Sequence, residues 1–400
     1  MKRSDWKEYK LGEVADVQNG YAFKSKDFNS FNGVPVIKIK NVASGKLIMT
    51  DLEYYNLPIE NLSRFIIRTG DILIAMTGSH VNQPSSMVGK VARYNFKTIA
   101  LLNQRVGKIY SIDNNELNED FLFYFFTQHD VTCELALNAG GSANQANISP
   151  ALIKSLDFYL PSLWEQKAIA TVLSSIDDKI ELLHRQNKTL EEMAETLFRQ
   201  WFIEDAQEDW EESPLDKIAD YLNGLACQKY PPKNEIDRLP VLKIKELRSG
   251  IMGNSDWAST EIPNEYIVVN SDVIFSWSGS LLVKIWDGCE CILNQHLFKV
   301  TSKEYPKWFY YLWTKHYLEK FISISESKAT TMGHIKRSDL SKSYALIPSK
   351  KELGEMDQLM TPMIDKIISN NKQILNLQFI REILLPKLMS GEVRVKYTDK

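Results

Sequence analysis

Residues 165 to 203, EQKAIATVLSSIDDKIELLHRQNKTLEEMAETLFRQWFI, step through their apolar positions four, three, four, three without a break. The positions are Ile169, Leu173, Ile176, Ile180, Leu183, Asn187, Leu190, Ala194, Leu197 and Trp201. A 3.5-residue period holds one stripe of a helix against a partner helix along its whole length. The same ladder returns 187 residues on, as Met356, Met360, Met363, Ile367, Asn370, Ile374, Leu377, Arg381, Leu384 and Leu388, so the chain carries both partners. The long segment between them makes antiparallel pairing easy to reach. At 1.5 Å per residue, a helix over the first stretch spans about 58 Å, far more than an ordinary core helix. Asn187 and Asn370 fall on the two seams, where a polar side chain costs stability and fixes register. The expected centre of the molecule is a rod made of a long antiparallel two-helix coiled coil. Pro362, inside the second ladder, predicts a kink or a late start there.

Outside the ladders the chain also repeats itself. WKEYKLGEVADVQNGYA at 6 to 22 returns as WEESPLDKIADYLNGLA at 210 to 226. PVIKIKNVASG at 35 to 45 returns as PVLKIKELRSG at 240 to 250, an alternating strand that ends in a turn. GDILIAMTGS at 70 to 79 returns as SDVIFSWSGS at 271 to 280, and Leu-Asn-Gln recurs at 102 to 104 and 293 to 295. FLFYFFTQH at 121 to 129 matches WFYYLWTKH at 308 to 316, and Pro161 matches Pro348 ahead of each ladder. The fold class is therefore mixed α/β (α+β) in two copies, joined by the helix pair, with a pseudo-twofold internal repeat. The expected boundaries are residues 1–160 and 205–347 for the two globules, and 161–204 and 348–400 for the two helices.

Composition bounds the rest. With 44% hydrophobic and 25% charged residues in 400, this is an ordinary globular chain. MKRSDWKEYK lacks the apolar stretch of a signal peptide, and FLFYFF is too short to span a bilayer, so no membrane segment and a cytoplasmic location are expected. Cys133, Cys227, Cys289 and Cys291 are too few and too irregular for a disulfide framework. The lone C-x-C beside His296 lacks a second ligand pair for zinc, so buried reduced thiols are expected. Net charge is −3, but residues 24 to 110 hold twelve Lys and Arg against five Asp and Glu, and residues 303 to 350 nine against four. Residues 204 to 220 hold one against eight. Two basic regions and an acidic connector permit polyanion binding without requiring it.

Motifs for chemistry are missing. The sequence has no G-x-x-x-x-G-K-[ST] loop, no G-x-G-x-x-G turn, no H-E-x-x-H pair and no Asn- or Asp-Pro-Pro-aromatic motif. Ser79 and Ser280 follow a glycine after a strand but lack the G-x-S-x-G elbow. His80, His129, His184, His296, His316 and His334 have no triad partner by spacing. A non-catalytic chain is expected, binding no cofactor of its own. Consecutive aromatics on a helix point to core or subunit interface before base stacking. The halves diverge after shared anchors: HVNQPSSMVGK against LLVKIWDGC, Arg105 against His296, and NAGGSANQANIS against SISESKATTMGHIK. Loops of this composition suit base-edge and phosphate contacts, or plain solvation.

Two globules on one plan, with Pro161, Glu165 and Gln166 in PSLWEQKAIA and IDDKIELL behind them, resemble the specificity subunit of type I restriction-modification systems. IDKIISNNKQI and the terminal LLPKLMSGEV extend the resemblance over essentially the whole chain, although Leu353 stands where the first half has Gln166. The resemblance implies that each globule is a target recognition domain reading half of a split, asymmetric site in double-stranded DNA. The helices would serve as spacer and as the dock for two methyltransferase subunits, with restriction and translocase subunits joining them. S-adenosylmethionine, ATP and magnesium would belong to those partners. Candidate DNA contacts are Lys24, Lys26, Ser79, His80, Asn82, Gln83, Arg105, Asn144 and Gln145 in the first half. In the second they are Lys229, Ser280, Lys284, His296, Lys328, Thr330 and Thr331. Half-site centres about one helical turn apart, ~10 bp, are expected. The alternatives are a stand-alone nuclease or methyltransferase with a dispersed site, and a coiled-coil scaffold with no DNA role.

Overall fold

A computed structural model describes residues 5–81, 86–142, 145–327 and 333–395. The chain divides into two compact units, Met1–Asp177 with Phe379–Lys400, and Asp178–Gln378.

The first unit is built on an antiparallel sheet in the order Val91–Arg93, Ile72–Ala75, Val106–Ser111, Ala15–Asn19. All four residues of Ile72–Ala75 are buried, which is why the sequence there is apolar without alternation. A mixed sheet lies beside it, with Val34–Ile37 parallel to Ala100–Leu102 at its centre. Lys7–Lys10 pairs antiparallel with Asp157–Leu160, so the start of the chain lies beside the strand that leads into the long helix. The helix Glu119–Thr127 is capped by Asn118, whose side-chain Oδ1 accepts from the Phe121 amide at 2.9 Å. Phe121 to Phe126 are all buried and share one core with Trp6, Phe158, Ile169 and Leu173. A helix that is apolar all round must be covered all round, so its aromatics are core and none is free to stack on a base.

The second unit repeats the plan. Asp220–Asn223, Leu297–Thr301, Val273–Ser276 and Leu282–Ile285 form its antiparallel sheet. Arg238–Leu242 runs parallel to Cys291–Leu293 in the neighbouring one. Glu211–Pro214 pairs with Tyr344–Ile347. The helix Lys307–His316 buries Trp308 to Thr314.

The ladders form helices Leu163–Arg199 and Lys350–Met389, of 37 and 40 residues, about 55 and 60 Å long. A π-helical turn, Gln200–Glu204, prolongs the first. The late start expected from Pro362 does not occur. Ser349 and Glu352 cap the second helix reciprocally: the Ser349 amide donates to the Glu352 carboxylate at 2.9 Å, and the Glu352 amide to the Ser349 hydroxyl at 3.3 Å. Pro362 is exposed thirteen residues further on and only removes one N–H from a helix already fixed.

In the first unit the pairing is antiparallel. Ile169 and Leu173 share a core with Leu385, Leu388 and Met389, Ile176 and Leu384 are half-buried, and Arg381 Nε lies 2.7 Å from the Asp177 carboxylate. In the second unit Leu183, Ala194, Met360, Ile367, Asn370 and Ile374 are buried; Ile180, Asn187, Leu190, Leu197, Trp201, Met356, Met363 and Leu377 are half-buried. Asn187 donates to Asn371 Oδ1 at 2.6 Å and accepts from Asn370 Nδ2 at 2.8 Å, a polar layer on the seam. Each unit thus holds one globule, the beginning of the helix that follows it, and the end of the other half's helix.

The four cysteines are free thiols, but only Cys227 and Cys291 are buried. Cys289 is exposed because it lies in the turn between Trp286 and the strand Cys291–Leu293.

Candidate nucleic-acid interface

One end of the four-stranded sheet gathers the loops that diverge between the halves. In the first unit the strands Ala15–Asn19 and Ile72–Ala75 end there and Val106–Ser111 begins there. The repeated Asn-Gly and Leu-Asn-Gln meet at this end. Tyr21 bridges Asn103 in parallel, the Tyr21 amide donating to Leu102 O at 2.8 Å. Gly20 has no room for a side chain, since a Cβ would stand 2.1 Å from the Asn103 carbonyl oxygen. The second unit does the same: Leu225 bridges Asn294, and a Cβ on Gly224 would stand 2.3 Å from the Asn294 oxygen.

From this shared knot the candidate side chains project. Lys24 and Lys26 sit on the exposed turn Ser25–Asp27 just beyond Tyr21, and Arg105 is exposed two residues past Asn103. None of the three is in an ion pair among the described residues. The Met76 amide donates to the Arg105 carbonyl at 2.9 Å and the Ile148 amide to the Met76 carbonyl at 3.0 Å, which draws the hairpin of Gly140–Ser142 and Gln145–Asn147 to the same end. Gln145 is exposed there. Ser79 and His80 arrive differently. Ser79 is buried and accepts from the Ser86 hydroxyl at 3.0 Å, while His80 Nδ1 lies 3.1 Å from the Ala136 carbonyl oxygen. Asn82, Gln83, Asn144, Lys328, Thr330 and Thr331 lie outside the described residues.

In the second unit the exposed Lys229 ends the turn Cys227–Lys229 beside the Leu225 bridge, and Ser280 is exposed beyond Gly279. His296 stands where the first unit has Arg105, half-buried, its Nδ1 3.0 Å from the Ser278 hydroxyl. Lys284 is not part of this group. It lies within a strand, paired with Asp287 at 2.8 Å, and lines a cleft of about 220 Å³ with His184, Lys188, Glu191 and Tyr311.

Several lysines are neutralised by carboxylates at matching positions of the two units. Lys38 pairs with Glu53 and Lys243 with Asp256. Lys108 lies 3.4 Å from Asp71 and Lys299 2.9 Å from Asp272. Burial holds the Lys90 ammonium below the usual lysine range. The field at the sheet end therefore comes from fewer cations than composition suggests. Among the described residues no group of three or more His, Cys, Asp or Glu is placed to hold a metal ion, and no helix is long and apolar enough to cross a membrane.

The type I restriction modification DNA specificity domain matches residues 3–192 and again residues 207–378. The chain belongs to that family. It is 27% identical over 419 residues to the type I restriction enzyme MjaIX specificity subunit of Methanocaldococcus jannaschii, covering 98% of this chain and 94% of that one. To the HindI specificity subunit of Haemophilus influenzae it is 21% identical over 484 residues, covering 98% and 100%. The crystal structure of a type I restriction-modification S subunit from M. genitalium superimposes with a TM-score of 0.58 at 14% identity, covering 98% of this chain and 97% of that one, which shows the shared fold. The chain is accordingly a specificity subunit, the recognition component and not the catalytic one.

The motif that carried the resemblance is structural in this specificity subunit. Gln166 is fully buried; its amide donates to the carbonyls of Glu116 and Pro161, both at 2.9 Å, and its oxygen accepts from the Asn118 amide at 2.8 Å. It ties the helix start to the cap of the aromatic helix. Glu165 is buried against Arg394, whose Nε lies 2.6 Å away. In the second half Glu352 instead accepts from Trp210 Nε1 at 3.3 Å. Three residues at this sheet end were not among the sequence candidates: Asn147, Trp277 and His334. The signal was present only as the alignment of NQANIS with MGHIK, which needs strand register to interpret.

Proposed function

We propose that this specificity subunit reads a bipartite, asymmetric site in double-stranded DNA, residues 1–160 and 205–347 acting as target recognition domains for one half-site each. The helices in 161–204 and 348–400 set the spacing and dock two methyltransferase subunits, to which restriction and translocase subunits add in the cytoplasm. S-adenosylmethionine, ATP and magnesium act on those partners, and this chain holds none of them. The observation that carries the reading is the repeated knot of Gly20 with Asn103, and of Gly224 with Asn294, surrounded by side chains that differ between the units. One scaffold with two sets of loops suits two different short sequences. In this reading Lys24, Lys26 and Lys229 are the cations that hold phosphates.

Exchange of residues 1 to 150 for those of a relative, followed by methylation mapping of the reconstituted complex, tests it. The first half-site should change and the second persist. A seven-residue insertion after Ile180, adding about 10 Å, should widen the gap and leave the bases unchanged. A domain exchange that alters both half-sites would refute the reading.

A further inference from the structure

The two units share a backbone at the sheet end so closely that position-by-position equivalence can be read from hydrogen bonds. Met76 and Trp277 correspond: each amide donates to the residue after Leu-Asn-Gln, Met76 to Arg105 O at 2.9 Å and Trp277 to His296 O at 3.4 Å. Each carbonyl accepts from the strand on the other side, from Ile148 at 3.0 Å and from Ile335 at 3.1 Å. Arg105 is thereby the counterpart of His296, and Asn147 of His334. Scaffold hydrogen bonds fix these main-chain positions, while the side chains on them are free to differ and do.

We infer that base selection is carried at these matched positions, with Arg105 and Asn147 selecting guanine in the first half-site, and His296, His334 and Trp277 favouring a thymine in the second. The inference rests on the bipartite reading proposed above. In the first unit Arg105 has only donors to offer, and the Asn147 oxygen already accepts from the Thr77 hydroxyl at 2.7 Å, which leaves two amide hydrogens against a single lone pair. A surface that mainly donates matches the O6 and N7 acceptors of guanine in the major groove.

The second unit presents a different surface. The Trp277 indole N–H donates to Asn223 at 3.0 Å, and its ring stacks on Phe298 with centroids 5.7 Å apart at 28°. His296 and His334 flank the ring, with centroids at 6.1 and 6.3 Å. His296 shares a hydrogen bond with Ser278, and Gln295 Nε2 lies 3.4 Å from its Nε2. A half-buried plate whose one polar atom is engaged offers a base edge only apolar contact, and the C5-methyl of thymine is the group in the major groove that takes it.

The test begins with the unaltered protein in its methyltransferase complex and needs no variant to fold. Once mapping has given the two half-sites, each guanine of the first is replaced by 7-deazaguanine and each thymine of the second by uracil. Binding should fall about tenfold at one or two guanines and severalfold at one thymine. Arg105→Ala with Asn147→Ala should then relax the first half-site alone, and Trp277→Ala should abolish the thymine preference, with Trp277→Phe restoring part of it. Loss of base preference without loss of the melting transition separates recognition from unfolding. Two clear half-sites that tolerate every one of these base substitutions would overturn this inference and leave the bipartite reading standing; a site that is not bipartite would overturn the reading itself.

Discussion

Replacing Ser271 with glycine should stabilise the protein. Ser271 has φ +91°, and the matching residue of the first unit is Gly70 at φ +98°. Both sit in the same turn, the Gly70 amide donating to Tyr94 O and the Ser271 amide to Trp286 O, each at 2.8 Å. A side chain in left-handed backbone costs about 1–2 kcal/mol. Glycine gives back about 0.5–1 kcal/mol through its freedom in the unfolded chain. The net expectation is a gain of about 0.5–1 kcal/mol for Ser271→Gly. Little else changes: the Ser271 hydroxyl makes no hydrogen bond among the described residues, and the Lys307 ammonium, 2.8 Å from the Ser271 carbonyl, keeps its acceptor. Seven of the nine tryptophans lie in the second unit, so tryptophan fluorescence on heating reports the right region. For a unit near 200 residues the shift should be about 1–4 °C upward. The reciprocal Gly70→Ser should lower stability in the first unit by a similar amount, followed by amide exchange. A Cβ there meets nothing within 4 Å, so backbone strain is its only cost. A lower melting temperature for Ser271→Gly, or a higher one for Gly70→Ser, would refute the strain argument.

Gly224→Ala should destabilise by about 3 kcal/mol, because the new carbon meets main-chain atoms that cannot move aside. Gly253→Ala, with open space around it, should be near neutral, and urea unfolding distinguishes the two. Glu191 is pushed upward by burial, but the Lys315 ammonium at 2.8 Å and the Tyr311 hydroxyl at 2.7 Å outweigh this and hold it below its usual value. A depressed carboxyl stabilises the fold above its unfolded pKa and loses that contribution as pH falls through the folded one. Glu191→Gln should therefore be less stable than the parent at pH 7, with the gap closing below about pH 4; a gap that persists there contradicts the ion-pair account. Double replacement of Lys24 and Lys26 by alanine should flatten the dependence of log affinity on log salt by about 1.8, at about 0.9 per phosphate contact. An unchanged slope would place the phosphates elsewhere.

Much of this architecture was legible because it depends on local periodicity. The ladder positions are all buried or half-buried, and the repeated strands pair in matching registers. The sequence also paired Asn-Gly with Leu-Asn-Gln as repeats, yet the reason they travel together, a glycine pressed on an asparagine carbonyl, is a contact between distant segments. Long-range partners stayed hidden for the same reason. Nothing near Glu165 announces Arg394, 229 residues away. Pro362 misled because its helix-breaking tendency was weighed without the Ser349–Glu352 cap. Charge misled more gently, since Lys108 and Lys299 look like free cations until strand pairing sets each beside an aspartate.

The exchange of helix ends has a consequence for the order in which the molecule assembles during synthesis. The first unit's core includes Leu385, Leu388 and Met389, so the globule made first waits for residues that are made after the whole second globule. The second unit, Asp178–Gln378, is one unbroken stretch and has every element it needs before that. Domains commonly mature in the order they are made. Here contact order inverts the sequence of events: protease resistance of stalled nascent chains should appear in the second unit first, and the amino-terminal half, though oldest, completes its fold last.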